Sequence, residues 1–526
     1  MTQIQLDVPQ EVLSCTSTLE QAGYEAYIVG GCVRDLLLDR TPNDWDITTN
    51  AHPEDIQKIF DHTFYENQYG TVGVVNDHIV EQIEALQEDD EVSPHTAQAT
   101  RGTHETLQKL EARKVIEITP YRTESTYSDS RRPDEVAFAT TLEADLQRRD
   151  FTINALAYNP NNGELIDLYG GVQDLQSGLI QTVGDASQRF DEDALRLLRA
   201  IRFATSLTFQ VSHETSQAIE KFHVKLGNVS WERIRDEFSK ILMTNSPRDG
   251  IELLREHKLL DIICPELLDA VGVEQNGSHI YDVYEHLLRT LQHAADKGWW
   301  LDIRLAALFH DISKPETRRW SKEKNDYTFY GHEVVGSKKT KRILQRFRYS
   351  SDTVSRVTLL VRWHMFFSDP EEITLSGVRR IIRNVGGADQ VWDLIKLRIC
   401  DRIGMGRPKE QPYRLRQYEV MMEEAMRSPV SVQDLKISGD DIITLLHVKP
   451  GKRIGWLLHA CMRETLHTPE NNNYEWLVKH VTQLNSLSDE ELEQLYWEGK
   501  EAIDAAEEAE LAQIRKKYKV GRRNST

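Results

Sequence analysis

Two aspartates one residue apart, in Asp44-Trp45-Asp46-Ile47, are the first side chains whose spacing could do chemistry. On a strand, residues i and i+2 face the same side, so these carboxylates are expected to project together. That is unfavourable unless cations sit between them. Paired carboxylates suit Mg²⁺, a hard ion that keeps waters and substrate phosphates among its ligands. Two such ions could activate a hydroxyl nucleophile and stabilise a leaving pyrophosphate. Upstream, Gly30-Gly31 closes a strand and opens a helix carrying Arg34 and Asp35. Glycines let backbone N–H groups approach a phosphate, and a helix N-terminus favours its charge, although the same pair also makes an ordinary tight turn. Glu117, between apolar neighbours in Val115-Ile116-Glu117-Ile118-Thr119, is either a third carboxylate or a glutamate on an exposed strand face.

A second set combines imidazoles and carboxylates: His286, the adjacent His310-Asp311, His332, His364 and Asp401. Any one of these histidines alone reads as a surface or core residue. His310-Asp311, however, closes the apolar run Leu305-Ala306-Ala307-Leu308-Phe309 and is followed by Lys314. Such donors suit Mn, Fe, Co or Ni, or Mg with a larger carboxylate share.

The elements that must position these residues change along the chain. Up to about residue 183 the pattern is α/β, with strands expected at Ala26–Val29, Trp45–Thr48, Thr71–Val75, Val115–Thr119 and Val136–Ala139. Residues 76–114, with Glu88-Asp89-Asp90-Glu91, read as a solvated insertion. Beyond about 184 the periodicity is helical, broken at Cys264-Pro265, Gly406-Arg407-Pro408 and Arg427-Ser428-Pro429, and the chain ends in an acidic helix with a basic terminal run. With 64 basic and 84 acidic residues the formal charge is −20, which argues against unspecific coating of nucleic acid. Local basic runs do occur: Lys338-Lys339-Thr340-Lys341-Arg342 with Arg346 and Arg348, and Arg379, Arg380 and Arg383. These are RNA backbone contacts or solvated helix faces. No stretch approaches a membrane span, the N-terminus lacks a signal-peptide pattern, and the five cysteines form no CxxC pair. A cytoplasmic location is expected.

Gly30-Gly31-Cys32-Val33-Arg34-Asp35 followed by Asp44-x-Asp46 resembles the head of the polymerase-β-like nucleotidyltransferases, specifically the bacterial-type (class II) tRNA nucleotidyltransferase and poly(A) polymerase family. Arg148-Arg149-Asp150-Phe151-Thr152-Ile153-Asn154-Ala155, Asp167-Leu168-Tyr169-Gly170-Gly171, Glu192-Asp193-Ala194-Leu195-Arg196 and Glu232-Arg233-Ile234-Arg235-Asp236-Glu237 are similar to its ribose and triphosphate, hinge, base-recognition and neck motifs, in order. The fold implied is an α+β multidomain chain: a mixed-sheet head over 1–183, a helical neck over 184–268, an HD metal-dependent domain over 269–410 and a helical RNA-binding region over 411–526.

The resemblance implies template-independent addition of CCA to tRNA 3′ ends from CTP and ATP. Asp44, Asp46 and Glu117 are then the catalytic carboxylates, with Mg²⁺ on the first two. Gly30, Gly31, Arg34, Arg149, Asp150, Asn154, Asp193, Arg196, Arg199 and Arg202 bind the nucleotide. Arg149 is a fixed cation for triphosphate. Asp150 and Asn154, four apart, are expected on one helical face toward a ribose, or Asp150 is a plain helix cap. Asp193 and Arg196, three apart on a helix, offer acceptors and donors that match cytosine N3 or adenine N1 beside an amino group; uracil and guanine invert that pattern. The plain alternative is a surface salt bridge. The order of His286, His310-Asp311, His332, His364 and Asp401 resembles an HD phosphohydrolase site holding Mn²⁺, Ni²⁺ or another divalent ion.

Asn67-Gln68-Tyr69-Gly70-Thr71-Val72 resembles the tRNA enzymes of that family, and the Asp–Arg charges of the loop Tyr127-Ser128-Asp129-Ser130-Arg131-Arg132-Pro133 resemble those of members that complete the terminal A, which together imply CCA addition. The rivals are an A-only or CC-only enzyme, a poly(A) polymerase, a phosphohydrolase with a relic head, and a non-catalytic RNA scaffold.

Overall fold

The computed structural model describes residues 2–65, 70–83, 110–111, 113–123, 137–276, 280–366, 370–427 and 431–521. The chain divides into two compact units, 1–358 and 359–526, and the division falls within the helix Ser351–Trp363. Among the described residues no helix is long and apolar enough to cross a membrane.

A mixed eight-stranded sheet opens the first unit. Its strands lie in the order Thr2–Gln3, Glu164–Asp167, Leu156–Asn159, Ala26–Val29, Asp46–Thr49, Val115–Pro120, Val72–Val75 and Thr63–Tyr65. Asp46–Thr49 runs antiparallel to Ala26–Val29 and parallel to Val115–Pro120, with Asp46 opposite Glu117. Ile28, Val29, Ile47, Ile116 and Ile118 are buried, which is why these central strands read as apolar runs. The strand expected from Trp45 begins at Asp46, and Asp44 lies in the bend before it. The expected strand at Val136–Ala139 is Ala137–Phe138. Of the insertion, Ile79, Ile83 and Leu110 form a small buried cluster; Glu88-Asp89-Asp90-Glu91 lies outside the described residues.

Gly30 turns the strand Ala26–Val29 into the helix Gly31–Leu37 at φ 77°, a conformation L side chains rarely adopt. A Cβ there would stand 2.9 Å from Nη1 of Arg149. Gly171 is required by close approach: its Cβ would lie 2.3 Å from the Thr152 carbonyl oxygen. Asp167 accepts from the N–H groups of Gly171 and Val172, at 2.9 and 3.0 Å, and so starts the helix Gly171–Ser177. The hinge motif is thus a helix cap pressed against the turn that carries Asn154.

The remainder of this unit is largely helical. Trp231–Leu242 packs against Leu195–Leu207, and Val283–Asp296 and Leu301–Phe309 follow. Buried Arg304, on Leu301–Phe309, donates to the carbonyls of Leu242 and Thr244, both at 2.7 Å, and of Trp299 at 2.8 Å. It satisfies carbonyls that the end of Trp231–Leu242 leaves without intrahelical partners.

The second unit is helical throughout its described residues. Its core gathers Leu457, Cys461, Leu477, Val481 and Leu492 from the helices Lys452–His467, Tyr474–Leu484 and Asp489–Lys517. The last begins upstream of the expected acidic segment because Ser488 and Glu491 form a reciprocal cap. On Tyr413–Met426, Glu419 is 2% exposed, and burial pushes its carboxyl up to about 7 despite the Gln411 amide that bonds it. Folded Glu419 takes a proton more readily than unfolded Glu419. Its stabilising contribution is therefore full below about pH 4.5 and lost as pH rises through 7. Glu419→Gln should flatten that loss. Thermal melting of both proteins from pH 5 to pH 8 should show the variant gaining on wild type as pH rises; parallel profiles would refute the assignment.

Candidate active site and metal centre

A cavity of about 780 Å³ opens beside the Gly30 turn. It is lined by Gly30, Gly31, Arg34, Asp44, Asp46, Arg149, Asp150, Asn154, Asp193, Arg196, Arg199 and Arg202, so these twelve expected residues meet in one place. Asp44 and Asp46 flank the glycines: Cβ atoms at Gly31 and Gly30 would lie 4.0 Å from Asp44 Oδ1 and 3.8 Å from Asp46 Oδ2. A bend followed by a strand start, rather than two strand positions, brings the pair to the cavity. Their chemistry fits a hard divalent ion, as carboxylate oxygens beside backbone N–H groups suited to phosphate. Glu117 is half-buried and shares the face of Asp46 through the parallel register, but it does not line the cavity; Thr119, two residues on, does.

One side of the cavity is built from paired arginines, Arg148 and Arg149. Arg149 Nη2 lies 3.0 Å from Oδ2 of Asp145, whose other oxygen takes Arg148 Nη2 at 2.6 Å. Burial opposes ionisation of Asp145, yet the Arg149 and Arg148 guanidiniums hold its carboxyl below the usual carboxylate range. Asp145, on Leu142–Gln147, was not anticipated; its signal was its spacing, three and four residues before Arg148 and Arg149.

Asp150 and Asn154 meet, but not on an α-helix. Asp150 precedes a single 3₁₀ turn, Thr152–Asn154, because the preceding helix stops at Gln147. Asn154 Nδ2 donates to Asp150 Oδ1 at 3.1 Å, and Arg34 Nη1 donates to Asn154 Oδ1 at 2.7 Å. Asp150 Oδ2 accepts from Arg199 at 2.7 Å. Burial works against the Asp150 carboxylate, but Arg199 and the Asn154 amide prevail and hold it at about 2. Arg202 is bound by Glu237, the last residue of the neck motif and 3% exposed, whose role the sequence did not disclose. The guanidiniums of Arg202, Arg34 and Arg199 lie 4.0, 5.2 and 5.3 Å from the ring centre of Phe203, which also lines the cavity.

Asp193 and Arg196 do not share a helix. Asp193 closes Ala186–Glu192, and the next helix begins at Leu195, whose N–H donates to Asp193 Oδ1 at 3.0 Å. Asp193 Oδ2 accepts from Arg233 at 2.6 Å, while Arg196 donates to Glu192 at 2.6 Å and to the Arg148 carbonyl at 3.0 Å. Each is oriented by another partner, and both line the cavity.

A second cluster lies in the first unit. His286 Nε2 and His310 Nε2 are 3.0 Å apart and stand 3.2 and 3.3 Å from Asp311 Oδ2. His332 Nε2 is 3.2 Å from Asp311 Oδ1, and Lys314 Nζ is 2.6 Å from Oδ2. All five side chains are buried. His310 Nδ1 donates to the Ala307 carbonyl at 2.9 Å and His332 Nδ1 to that of Phe329 at 2.7 Å. That fixes the tautomer in which Nε2 carries the lone pair, the arrangement of metal-binding histidine. The donor set fits a divalent transition metal. Burial would raise the Asp311 carboxyl, but Lys314 and His310 hold it well below the usual carboxylate range. His364 and Asp401 belong to the second unit. Both are buried; His364 Nδ1 donates to the Val361 carbonyl at 2.7 Å, and Asp401 accepts from Arg398 at 2.6 Å.

Of the basic runs, Lys339 pairs with Glu316 and Arg346 with Glu266, whereas Arg379, Arg380 and Arg383 are exposed on Leu375–Val385. Residues 67–69 and the loop 127–133 lie outside the described residues.

Family models match in the same order as the sites. A poly A polymerase head domain covers residues 26–100 and 70–181, a probable RNA and SrmB-binding site of polymerase A covers 208–271, and an HD domain covers 283–406. The CCA-adding enzyme of Enterococcus faecalis is 30% identical over 466 residues, 88% of this chain and 93% of that protein. That of Lactobacillus helveticus is 41% identical over 253 residues, so the match spans about half of that protein, 55% of its length. The crystal structure of the Bacillus stearothermophilus CCA-adding enzyme in complex with CTP superposes with a TM-score of 0.54 at 26% identity, covering 91% of this chain and 97% of that one.

Fold and cavity together are those of a nucleotidyltransferase whose head is followed by an HD-type domain. The chain belongs to the family of CCA-adding enzymes.

Proposed function

We propose that this protein adds CCA to tRNA 3′ ends from CTP and ATP in the cytoplasm. The observation that carries the reading is the single cavity in which Asp44, Asp46, the paired arginines and Asp193 with Arg196 converge. Arg149, held by Asp145, and the N–H groups behind Gly30-Gly31 bind the triphosphate. Asp150 and Asn154 orient the ribose. Asp193 accepts from the amino group of cytosine or adenine while Arg196 donates to the ring nitrogen beside it, so no nucleic-acid template is needed. Mg²⁺, held by Asp44 and Asp46, would supply the charge that activates the 3′-hydroxyl and neutralises the leaving pyrophosphate. Glu117 is a third carboxylate acting on the same face. The domains follow as 1–183, 184–268, 269–410 and 411–526, with exposed Arg379, Arg380 and Arg383 as tRNA backbone contacts.

The test is extension of a tRNA lacking its CCA end, with one nucleotide at a time and then both. Two C additions with CTP and a final A with ATP are expected. A alone, CC alone or a long A tail would identify one of the rival enzymes.

Asp193→Arg should lose CTP and ATP use together, because a cation would face both amino groups. We expect kcat/KM for each to fall at least about 100-fold, as for a site whose hydrogen bonding is inverted. Retention of both nucleotides at the wild-type ratio would remove Asp193 from base selection.

A second reading is favoured by the Nδ1–carbonyl bonds of His310 and His332. His286, His310, Asp311 and His332 would hold a divalent metal such as Mn²⁺ or Ni²⁺ and serve phosphoester hydrolysis.

A further inference from the structure

We propose that the β-hairpin Arg319–Ser321 and Asp326–Thr328, with Tyr330, is a stacking surface for the bases of single-stranded RNA whose terminal phosphate enters the His–Asp cluster. The proposal rests on the phosphohydrolase reading of that cluster. The hairpin is the chain between two members of the cluster. It leaves two residues after the helix Lys314–Thr317 and returns through Phe329 and Tyr330 to His332. Phe329 ties the return, since its carbonyl accepts from His332 Nδ1 and its ring centre lies 5.6 Å from Lys314 Nζ. Asn276 Nδ2 adds a bond to the Tyr327 carbonyl at 2.8 Å. A two-stranded ribbon is marginal by itself, and this one is anchored at the cluster.

The ribbon exposes what a packed hairpin would bury. Trp320 is 54% exposed and Tyr330 75% exposed. Trp320 sits opposite Tyr327 with ring centres 5.0 Å apart, and the Arg318 guanidinium lies 3.5 Å from the Tyr327 ring centre. Lys324 Nζ is 2.8 Å from the Tyr330 hydroxyl and 5.3 Å from its ring centre. Tyr330 and Tyr327, the ring that packs on Trp320, therefore each carry a cation. Residues 318–326 hold four cations (Arg318, Arg319, Lys322, Lys324) against Glu323 and Asp326, within a chain of net charge −20. Exposed rings interleaved with cations serve ligands that offer π faces and phosphates together, which is the recognition mode of single-stranded nucleic acid. An apolar protein partner would want the rings without the charge.

The experiment uses the full-length protein, a short single-stranded RNA with a 3′-terminal phosphate and a 4-thiouridine near that end, and p-nitrophenyl phosphate as a small substrate, all with added Mn²⁺. Photo-crosslinks should map to residues 318–330. Trp320→Ala with Tyr330→Ala should reduce them and raise the KM for RNA by about fivefold or more, the loss of one stacked base, with kcat and p-nitrophenyl phosphate hydrolysis unchanged. Trp320→Phe with Tyr330→Phe should stay near wild type. Crosslinks outside the hairpin, or equal crosslinking by the alanine pair, overturn the proposal. If wild type releases no phosphate from either substrate but the crosslinks appear and fall in the alanine pair, the hairpin binds RNA and the phosphohydrolase reading fails alone.

Discussion

Asp44→Ala and Asp46→Ala should each abolish nucleotide addition while leaving tRNA binding essentially unchanged. The two carboxylates bracket the Gly30-Gly31 turn at the mouth of an arginine-rich cavity, and removing either leaves cationic charge with no site for a divalent ion. A divalent ion held there would stabilise both the attacking and the leaving oxygen, so the fall in kcat should be at least about 10³-fold, or about 4 kcal/mol. Asp44 is exposed in a bend and carries no core packing, so its replacement should fold normally. Incorporation of labelled CTP into a tRNA lacking CCA measures the first effect, and gel retardation of the same tRNA measures the second. Normal incorporation by either variant would sink the carboxylate assignment. Loss of tRNA binding in step with activity would point to a folding defect.

The His–Asp cluster should fail in the opposite sense. His310→Ala with Asp311→Ala removes the imidazole 3.0 Å from His286 and the carboxylate that meets His286, His332 and Lys314. Metal-stimulated opening of 2′,3′-cyclic nucleotides to the monophosphate, and release of phosphate from a generic phosphomonoester, should disappear, with CCA synthesis retained. Chelation of the wild type should reproduce the loss, and Mn²⁺ or Ni²⁺ should reverse it. Bound metal measured on the same samples completes the test. A wild type that binds no metal and hydrolyses nothing would make the cluster a structural relic. Both substituted side chains are buried, so Lys314 would be left facing a vacated site; a melting curve of the double variant separates instability from lost chemistry.

What was legible in the sequence was what the chain encodes locally. Gly30-Gly31 and Asp44-x-Asp46 could be read because a tight turn and closely spaced carboxylates need only neighbouring residues. Strands such as Ala26–Val29 could be read because burial on both faces leaves an apolar run. The geometry joining such pieces was not legible. Asp193 and Arg196 look like helix neighbours by spacing, yet a helix break falls between Glu192 and Leu195, and their partners, Arg233 and Glu192, were not foreseen. Asp150 and Asn154 meet over a 3₁₀ turn because the preceding helix stops at Gln147. Glu237 reaches Arg202 across 35 positions, and no periodicity signals such a pair.

Arg304 binds the carbonyl end of Trp231–Leu242 from the helix that leads into His310. The other end of Trp231–Leu242 holds Asp193 through Arg233, and its middle holds Arg202 through Glu237. One helix is therefore clamped at the cavity beside the Gly30 turn along one half and at the threshold of the His–Asp cluster at its tip. Fraying of that tip would release buried carbonyls and a buried guanidinium at once, which makes it costly. The amides of Trp231–Leu242 should thus exchange slowly, and local opening around Asp193 is tied to that of this helix through Arg233.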